Sequence, residues 1–171
     1  MTRVFVALGG NIEPESRLAL AARELRGRFP DVRFSGVYRN PPFGFEGADF
    51  YNAAAGFSTA LSVEMLLLSL HAIETLCGRH RDDPKWAPRA MDIDLLMYGG
   101  TVAKSPINER PAYEIPRPDL LRRCYMLAPL AQIAPALPHP VTHRTIADHW
   151  CDLAREPHSL ERVALDLNMP L

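Results

Sequence analysis

Two aspartates, Asp92 and Asp94, interrupt the otherwise apolar run MDIDLLM. In a β-strand, side chains alternate between faces, so both carboxylates share a face with Leu96, while Met97 falls on the other face. The two Cα atoms lie about 6–7 Å apart. Unpaired carboxylates this close raise each other's pKa, and a divalent cation removes that cost. The pair therefore predicts a magnesium site that bridges two ions. A solvated strand face without function is the alternative.

A basic segment, RHRDDPKWAPRA, precedes the aspartates and contains Arg79, Arg81, Lys85 and Arg89. Cations beside a metal-binding acid pair suit a polyphosphate, whose charge requires both metal ions and guanidinium groups. The alternative is a surface segment whose cations pair with its own acidic residues. Spacing alone leaves both interpretations open.

Trp86 lies in the same segment, between Pro84 and Pro88. It either anchors the segment in the core or covers a bound ring when a loop closes. The two prolines restrict the loop to few conformations, which favours a gate over a random coil.

The composition is that of a globular protein: 171 residues, 47% hydrophobic and 23% charged, with a net charge of −1. Such a balance gives no basic field for nucleic acid or an anionic membrane. The three cysteines include no CxxC pair, so neither a disulfide framework nor a zinc site is expected. Because no signal peptide or transmembrane-length segment is evident, we expect a cytoplasmic protein.

Helices and strands are interspersed along the chain, and short turns favour antiparallel pairing. The segment VFVAL predicts a buried strand that ends at Gly9-Gly10, and YNAAAGFST predicts another. Ser62 can cap the helix VEMLLLSLHAIETLC, which Gly78 ends. MDIDLLMYGGTVA predicts a strand, a Gly-Gly turn and a return strand, and the helix PDLLRRCYMLAPLAQIA is interrupted at Pro129. We therefore expect an α+β sandwich with helices packed on a mixed or antiparallel sheet.

Four segments carry a resemblance to a known family: VALGGN, YRNPPFGFEGADFYNAA, IETLCGRHRDDPKWAPRAMDIDLLMYG and IPRPDLLRRCYMLAPL. Over residues 3–150 the chain resembles the 6-hydroxymethyl-7,8-dihydropterin pyrophosphokinases, with a specific W-x-P-R-x-x-D-x-D motif. The resemblance implies a three-layer α/β/α sandwich of ferredoxin-like type, mainly antiparallel, with helices on both faces. It also implies transfer of the β,γ-diphosphate of ATP to the pterin hydroxymethyl group, with release of AMP in folate biosynthesis. We expect one domain over 1–171, with a catalytic loop at 79–90 and an unassigned tail at about 151–171.

The resemblance also implies roles for individual residues. Two Mg²⁺ ions would be held by Asp92 and Asp94, and catalysis would use Arg79, Arg81, Trp86 and Arg89. ATP would contact these six residues together with Glu74, Arg117 and Arg123. The dihydropterin would be held by Asn40, Pro41, Pro42, Phe43, Gly44, Phe50, Asn52, Asp92 and Tyr125. We expect ATP and a dihydropterin as partners, no nucleic acid or membrane, and a monomer, with a homodimer as the alternative.

The sequence departs from the family pattern in three places, one of which is the segment GGTVAKSPINERPAYEIP, longer than in compact members. The usual Gly-Ser-Asn turn is Gly9-Gly10-Asn11, and Arg117 stands where a histidine often contacts ATP. Without the resemblance, Phe50 and Tyr125 are typical of core residues. The competing interpretations are another Mg-dependent nucleotidyl- or phosphotransferase, a non-catalytic small-molecule-binding domain, and a paralogue that uses a modified pterin.

Overall fold

The computed structural model describes residues 1–80, 88–106 and 108–169. The elements along the chain are β1 (Thr2–Gly10), α1 (Pro14–Arg28), β2 (Arg33–Phe34), β3 (Val37–Asn40), β4 (Phe50–Thr59), α2 (Val63–Leu76), β5 (Asp92–Tyr98), β6 (Ala103–Lys104), β7 (Glu114–Ile115), α3 (Cys124–Ile133), α4 (Ile146–Leu153) and β8 (Glu161–Val163). No helix within these ranges is long and apolar enough to cross a membrane.

The main sheet has the strand order β5-β1-β4-β3-β8, with β2 also paired to β4. Each of these pairings is antiparallel. One face buries Val4, Val6 and Leu8 of β1 against α1 and α2, and the other buries Phe5 and Ala7 against α3 and α4. Because side chains alternate between the two faces of the sheet, helices pack on both faces and form three layers with it. The predicted α+β sandwich with helices on both faces is confirmed.

The helix limits follow local signals. The Ser62 hydroxyl accepts from the backbone N–H of Met65 at 3.3 Å, and α2 ends before Gly78, whose φ is +90°. Thr145 and Asp148 form a capping box at the start of α4. The limits of α2 agree with the sequence prediction.

The expected interruption at Pro129 is wrong. The α3 helix begins at Cys124 and continues through Pro129 to Ile133. Proline inside a helix loses one backbone hydrogen bond. The burial of Met126, Leu127 and Leu130 against the sheet offsets that loss.

The expected hairpin between β5 and a return strand is also wrong, since β6 pairs with β7 in a separate two-stranded sheet. The free edge of β5 instead receives a hydrogen bond from the backbone N–H of Arg117, which donates to the carbonyl of Leu96 at 2.9 Å. A register shift opposite Phe5 and Val6 places Met97 in the same cluster as Leu96, so simple alternation fails at this point.

The C-terminal tail adds to the sheet. Strand β8 pairs with β3, and Leu167 is buried in the α1–α2 core. The Asn168 amide brackets the backbone of Phe34, accepting from its N–H and donating to its carbonyl, each at 3.0 Å. The tail therefore contributes packing and hydrogen bonds at the outer strand of the sheet.

Candidate active site

The acid pair lies at the start of β5, next to β1. Asp92 is in register with Gly9, and Asp94 with Ala7. Because Ala7 belongs to the α3-side cluster, both carboxylates lie on the α3 side of the sheet. The shared face that alternation predicts for the two aspartates is therefore present.

Three described arginines contact these carboxylates, two of them from the basic segment between α2 and β5. Arg79, after α2, hydrogen-bonds to Asp92 Oδ1, and Arg89 Nη1 lies 3.3 Å from Asp92 Oδ2. Arg117, after β7, places Nη1 3.0 Å from Asp94 Oδ1. Burial, together with the negative charge of Asp92, raises the pKa of Asp94 to about 6. The site therefore places carboxylates, which can bind metal ions, next to guanidinium groups, which can bind phosphate.

Glu74 of α2 is buried and hydrogen-bonds to both β5 and Arg79. It is 5% exposed, and its Oε1 accepts from the backbone N–H of Ile93 at 2.6 Å and from Arg79 Nη1 at 2.8 Å. Burial raises the pKa of Glu74 to about 7. Ile93 stands between the two aspartates in sequence, so Glu74 fixes both the edge of β5 and one of the arginines.

A cleft of about 500 Å³ opens above the acid pair. It brings together most of the predicted site residues: Asn40, Phe43, Phe50, Asn52, Arg79, Arg89, Asp92, Asp94, Arg117, Arg123 and Tyr125. Pro41, Pro42 and Gly44 belong to the adjoining loop, and Glu74 lies behind the cleft; they are not among its described lining residues. Arg81 and Trp86 lie outside the described residues.

One end of the cleft is aromatic. Phe45 and Phe50 meet edge to face, with ring centroids 6.2 Å apart, and Tyr125 of α3 also lines the space. Burial raises the pKa of the Tyr125 hydroxyl. Asn52, 6% exposed, donates from Nδ2 to Asn40 Oδ1 at 2.6 Å. Flat apolar walls beside an oriented amide are suited to a planar heterocycle.

The loop after β3 is connected to the basic end of the cleft. Phe43 is 58% exposed, and the guanidinium of Arg123 lies 4.4 Å from its ring centroid. Arg123 is also the N-cap of α3 and provides no side-chain cap hydrogen bond. The N-terminal end of this helix, which favours anions, therefore adjoins the cleft.

The GGN turn holds Arg89 in place. A Cβ added to Gly10 would lie 2.5 Å from the carbonyl oxygen of Ala90, so the close approach of the two segments requires glycine. Asn11 Oδ1 accepts from the backbone N–H of Arg89 at 2.7 Å, and Nδ2 donates to the carbonyl of Ala48 at 3.0 Å. Sequence reasoning treated this motif as a turn and missed the contacts of Asn11.

Phe45 and Asp119 also line the cleft and were missed by the sequence prediction. Both belong to motifs that the sequence had singled out, NPPFGFEG and IPRPDL. Their positions in those motifs were the available signal, but only the folded chain shows which side chains turn toward the cleft.

Comparison with known proteins gives a match to the model of the 7,8-dihydro-6-hydroxymethylpterin-pyrophosphokinase (HPPK) family over residues 5–135. The chain belongs to this family. It is 35% identical over 167 residues to the 2-amino-4-hydroxy-6-hydroxymethyldihydropteridine pyrophosphokinase of Methylorubrum extorquens, covering 95% of this chain and 99% of that protein. It is 34% identical to the Pseudomonas aeruginosa protein of the same name, covering 81% of this chain and 84% of that one.

Solved structures of HPPK-DHPS from Plasmodium falciparum share the fold. The wild-type structure with STZ-DHP aligns with a TM-score of 0.70 at 14% identity and covers 90% of this chain. The wild-type structure with SDX-DHP has a TM-score of 0.66 at 14% identity and covers 89%. This chain spans less than half of those chains, 42% and 43% respectively, and at such identity the likeness concerns the fold.

Proposed function

We propose that this HPPK-family chain transfers the β,γ-diphosphate of ATP to the hydroxymethyl group of 6-hydroxymethyl-7,8-dihydropterin and releases AMP, a step of folate biosynthesis. The observation that carries the proposal is one cleft that joins an arginine-paired acid pair to an aromatic, amide-lined end. Family membership and the names of the relatives support the same activity. Neither a different nucleotidyl- or phosphotransferase nor a non-catalytic binding domain is favoured by these relatives.

The donor set fits magnesium. Among the described residues, no group of three or more His, Cys, Asp or Glu side chains is placed to hold a metal ion. Mg²⁺ in phosphoryl-transfer sites commonly uses one or two carboxylates, with water and phosphate oxygens completing its coordination. Asp92 and Asp94 supply such a pair, and we propose that they hold two ions together with ATP. The ions would neutralise phosphate charge and orient the transferred group.

The arginines bind the polyphosphate in this proposal. Arg79, Arg89, Arg117 and Arg123 all line the cleft, and guanidinium groups match phosphate oxygens in geometry and charge. We assign ATP contacts to these four, to Arg81 and Trp86 of the preceding segment, and to Glu74 as the support of Arg79. The charge that develops as the bond to AMP breaks would lie among these cations.

The pterin occupies the aromatic end. Phe50 and Tyr125 would stack on the ring, while Asn52 would hydrogen-bond to its aminopyrimidinone edge. The backbone of Asn40, Pro41, Pro42, Phe43 and Gly44 would line the same edge, and Asp92 would reach the pterin from β5. The Asn40–Asn52 hydrogen bond already orients the amide, which lowers the entropic cost of recognition.

In the reaction, the pterin hydroxymethyl oxygen attacks the β-phosphorus in line. The bond from the β-phosphorus to the oxygen bridging to the α-phosphate breaks, AMP leaves with that oxygen, and the hydroxyl proton passes to water. A loose transition state needs little activation of the nucleophile, which agrees with a described lining that contains no histidine. The chain's contribution is then positioning and charge stabilisation. We propose a cytoplasmic monomer that acts on these small molecules and not on nucleic acid.

A product assay tests the proposal. Purified chain, ATP, Mg²⁺ and 6-hydroxymethyl-7,8-dihydropterin should give AMP and the pterin diphosphate in equal amounts. Formation of ADP would indicate a simple kinase, and released pyrophosphate a nucleotidyl transfer; either product contradicts the proposal. If no turnover occurs and a nonhydrolysable ATP analogue fails to bind with or without pterin, the chain is not a pyrophosphokinase.

A further inference from the structure

The two aspartates are paired unequally in the described part of the chain. Asp92 has a guanidinium at each carboxylate oxygen, from Arg79 and Arg89. Among the residues that the structure describes, Asp94 forms one ion pair, between its Oδ1 and Arg117. Among the described residues, Arg117 is therefore the side chain that supplies the positive charge paired with Asp94.

Arg117 is anchored to the strand that carries Asp94. Its backbone N–H donates to the carbonyl of Leu96, two residues beyond Asp94 on β5. This bond fixes the start of the Arg117 side chain, whereas the guanidinium lies in the cleft with the side chain 34% exposed. This hydrogen bond keeps the Arg117 side chain beside Asp94 but allows its guanidinium group to rotate.

The guanidinium also has an unmet hydrogen-bonding capacity. The Nε atom of Arg117 is buried and has no partner among the described residues. An unpaired buried donor is unfavourable, so a rearrangement that supplies an acceptor is favoured. A phosphate oxygen in the cleft is such an acceptor, whereas the single contact with Asp94 uses Nη1 only.

We propose that Arg117 sets the metal affinity of this site by competing with the divalent cation for Asp94, and that it transfers to the nucleotide phosphates when the metal binds. Arg117 then lowers the affinity for metal alone and raises the affinity for the metal–nucleotide complex. Loading of the two ligands becomes coupled, because the cation that leaves Asp94 is the one that binds phosphate. The inference rests on the proposed function for the identity of the nucleotide.

The proposal predicts effects of opposite sign from one substitution. In Arg117→Gln, Mn²⁺ alone should bind about fivefold to tenfold more tightly, as expected from loss of one partly exposed ion pair. A nonhydrolysable ATP analogue at saturating Mg²⁺ should bind about tenfold more weakly, from the loss of one charged contact. A merely structural role for Arg117 would weaken both ligands together.

The experiment measures Mn²⁺ by electron paramagnetic resonance and the nucleotide analogue by calorimetry, on the full chain. Arg117→Lys keeps the charge and should stay within about twofold of the parent for Mn²⁺. Arg122→Gln, which removes an exposed cation outside the cleft lining, should change neither affinity. Arg123→Gln, a cleft arginine stacked on Phe43, should weaken nucleotide only.

Unchanged Mn²⁺ affinity in Arg117→Gln, or a lysine variant that behaves like the glutamine variant, overturns the inference. If Arg117→Gln does not fold, Arg117→Met, which is uncharged, unbranched and a poor ligand for Mn²⁺, provides the same comparison. The Mn²⁺ titration needs neither ATP nor pterin. A failed product assay therefore refutes the proposed function, and a failed Mn²⁺ comparison refutes only the role of Arg117.

Discussion

Replacement of Glu74 gives a test whose magnitude follows from the structure. Its buried Oε1 accepts from the backbone N–H of Ile93 and from Arg79. Glu74→Ala removes a charged acceptor and leaves the Ile93 N–H without this partner. Such a loss costs about 2–4 kcal/mol of unfolding free energy. For a domain of this size, the expected fall in melting temperature is about 5–15 °C.

Glu74→Gln separates the hydrogen bond from the charge. The amide oxygen still accepts from Ile93, and the amide resembles the protonated carboxyl, whose pKa is about 7. The loss in Glu74→Gln should be about 1 kcal/mol near neutral pH. An acid whose pKa is raised on folding binds more protons in the folded state than in the unfolded state. The contribution of Glu74 to folding stability is therefore present below its unfolded pKa of 4.5 and is lost as pH rises toward its folded pKa of about 7. The stability difference between the parent and Glu74→Gln should therefore shift in favour of the glutamine variant as pH rises from about 5 to 8.

Chemical denaturation at several pH values, in a chelating buffer, measures these differences. Glu64→Gln, an exposed glutamate in the first turn of the same helix, is the matched control and should change stability by less than about 0.5 kcal/mol. A Glu74→Ala variant no less stable than Glu74→Gln, or a parent that gains stability over the glutamine variant as pH rises, would contradict this role of Glu74.

Three other changes have expected outcomes. Asp92→Asn should keep the fold by circular dichroism but lower Mg²⁺-dependent turnover at least about hundredfold, and near-normal turnover at ordinary Mg²⁺ would contradict the metal role. Asn52→Ala should raise KM for the pterin about tenfold or more with little change in the KM for ATP, and equal changes in both would argue against a pterin-side role. His139 is 5% exposed, and its Nδ1 accepts from two backbone N–H groups at 3.4 Å. Burial and the nearby His149 lower the pKa of His139 from 6.5. Because the unfolded chain then binds more protons, stability should fall as pH drops below about 6.5; His139→Gln should flatten this dependence in denaturation curves, and an unaltered slope would contradict the assignment.

The sequence predicted the elements whose signals are local. Ser62 and Gly78 mark the ends of α2 because capping depends on residues within one turn of the helix. The hairpin after β5 and the break at Pro129 were predicted from equally local signals and were wrong. In both cases tertiary contacts were decisive: the backbone of Arg117 hydrogen-bonds to the edge of β5, and apolar packing stabilises α3 through Pro129.

The candidate site divides in the same way. Period-two alternation placed Asp92 and Asp94 on one face from sequence alone, and the W-x-P-R-x-x-D-x-D motif indicated the family. The sequence contained no signal for the pairing of Arg117 with Asp94 or for the Asn11 contact to Arg89. These contacts join segments far apart in the chain, and residue types alone do not specify which distant partners meet.

The residue types were enough to predict the chemistry: two carboxylates, a set of guanidinium groups, and aromatic and amide side chains for a heterocycle. Folding then established which of these groups contact one another. It placed Glu74 next to β5, paired Asp92 with two of the described arginines and Asp94 with one, and packed Gly10 against Ala90. The difference is one of range, because periodicity and capping act within a few residues, whereas ion pairs and close backbone contacts exist only after distant strands and helices have packed.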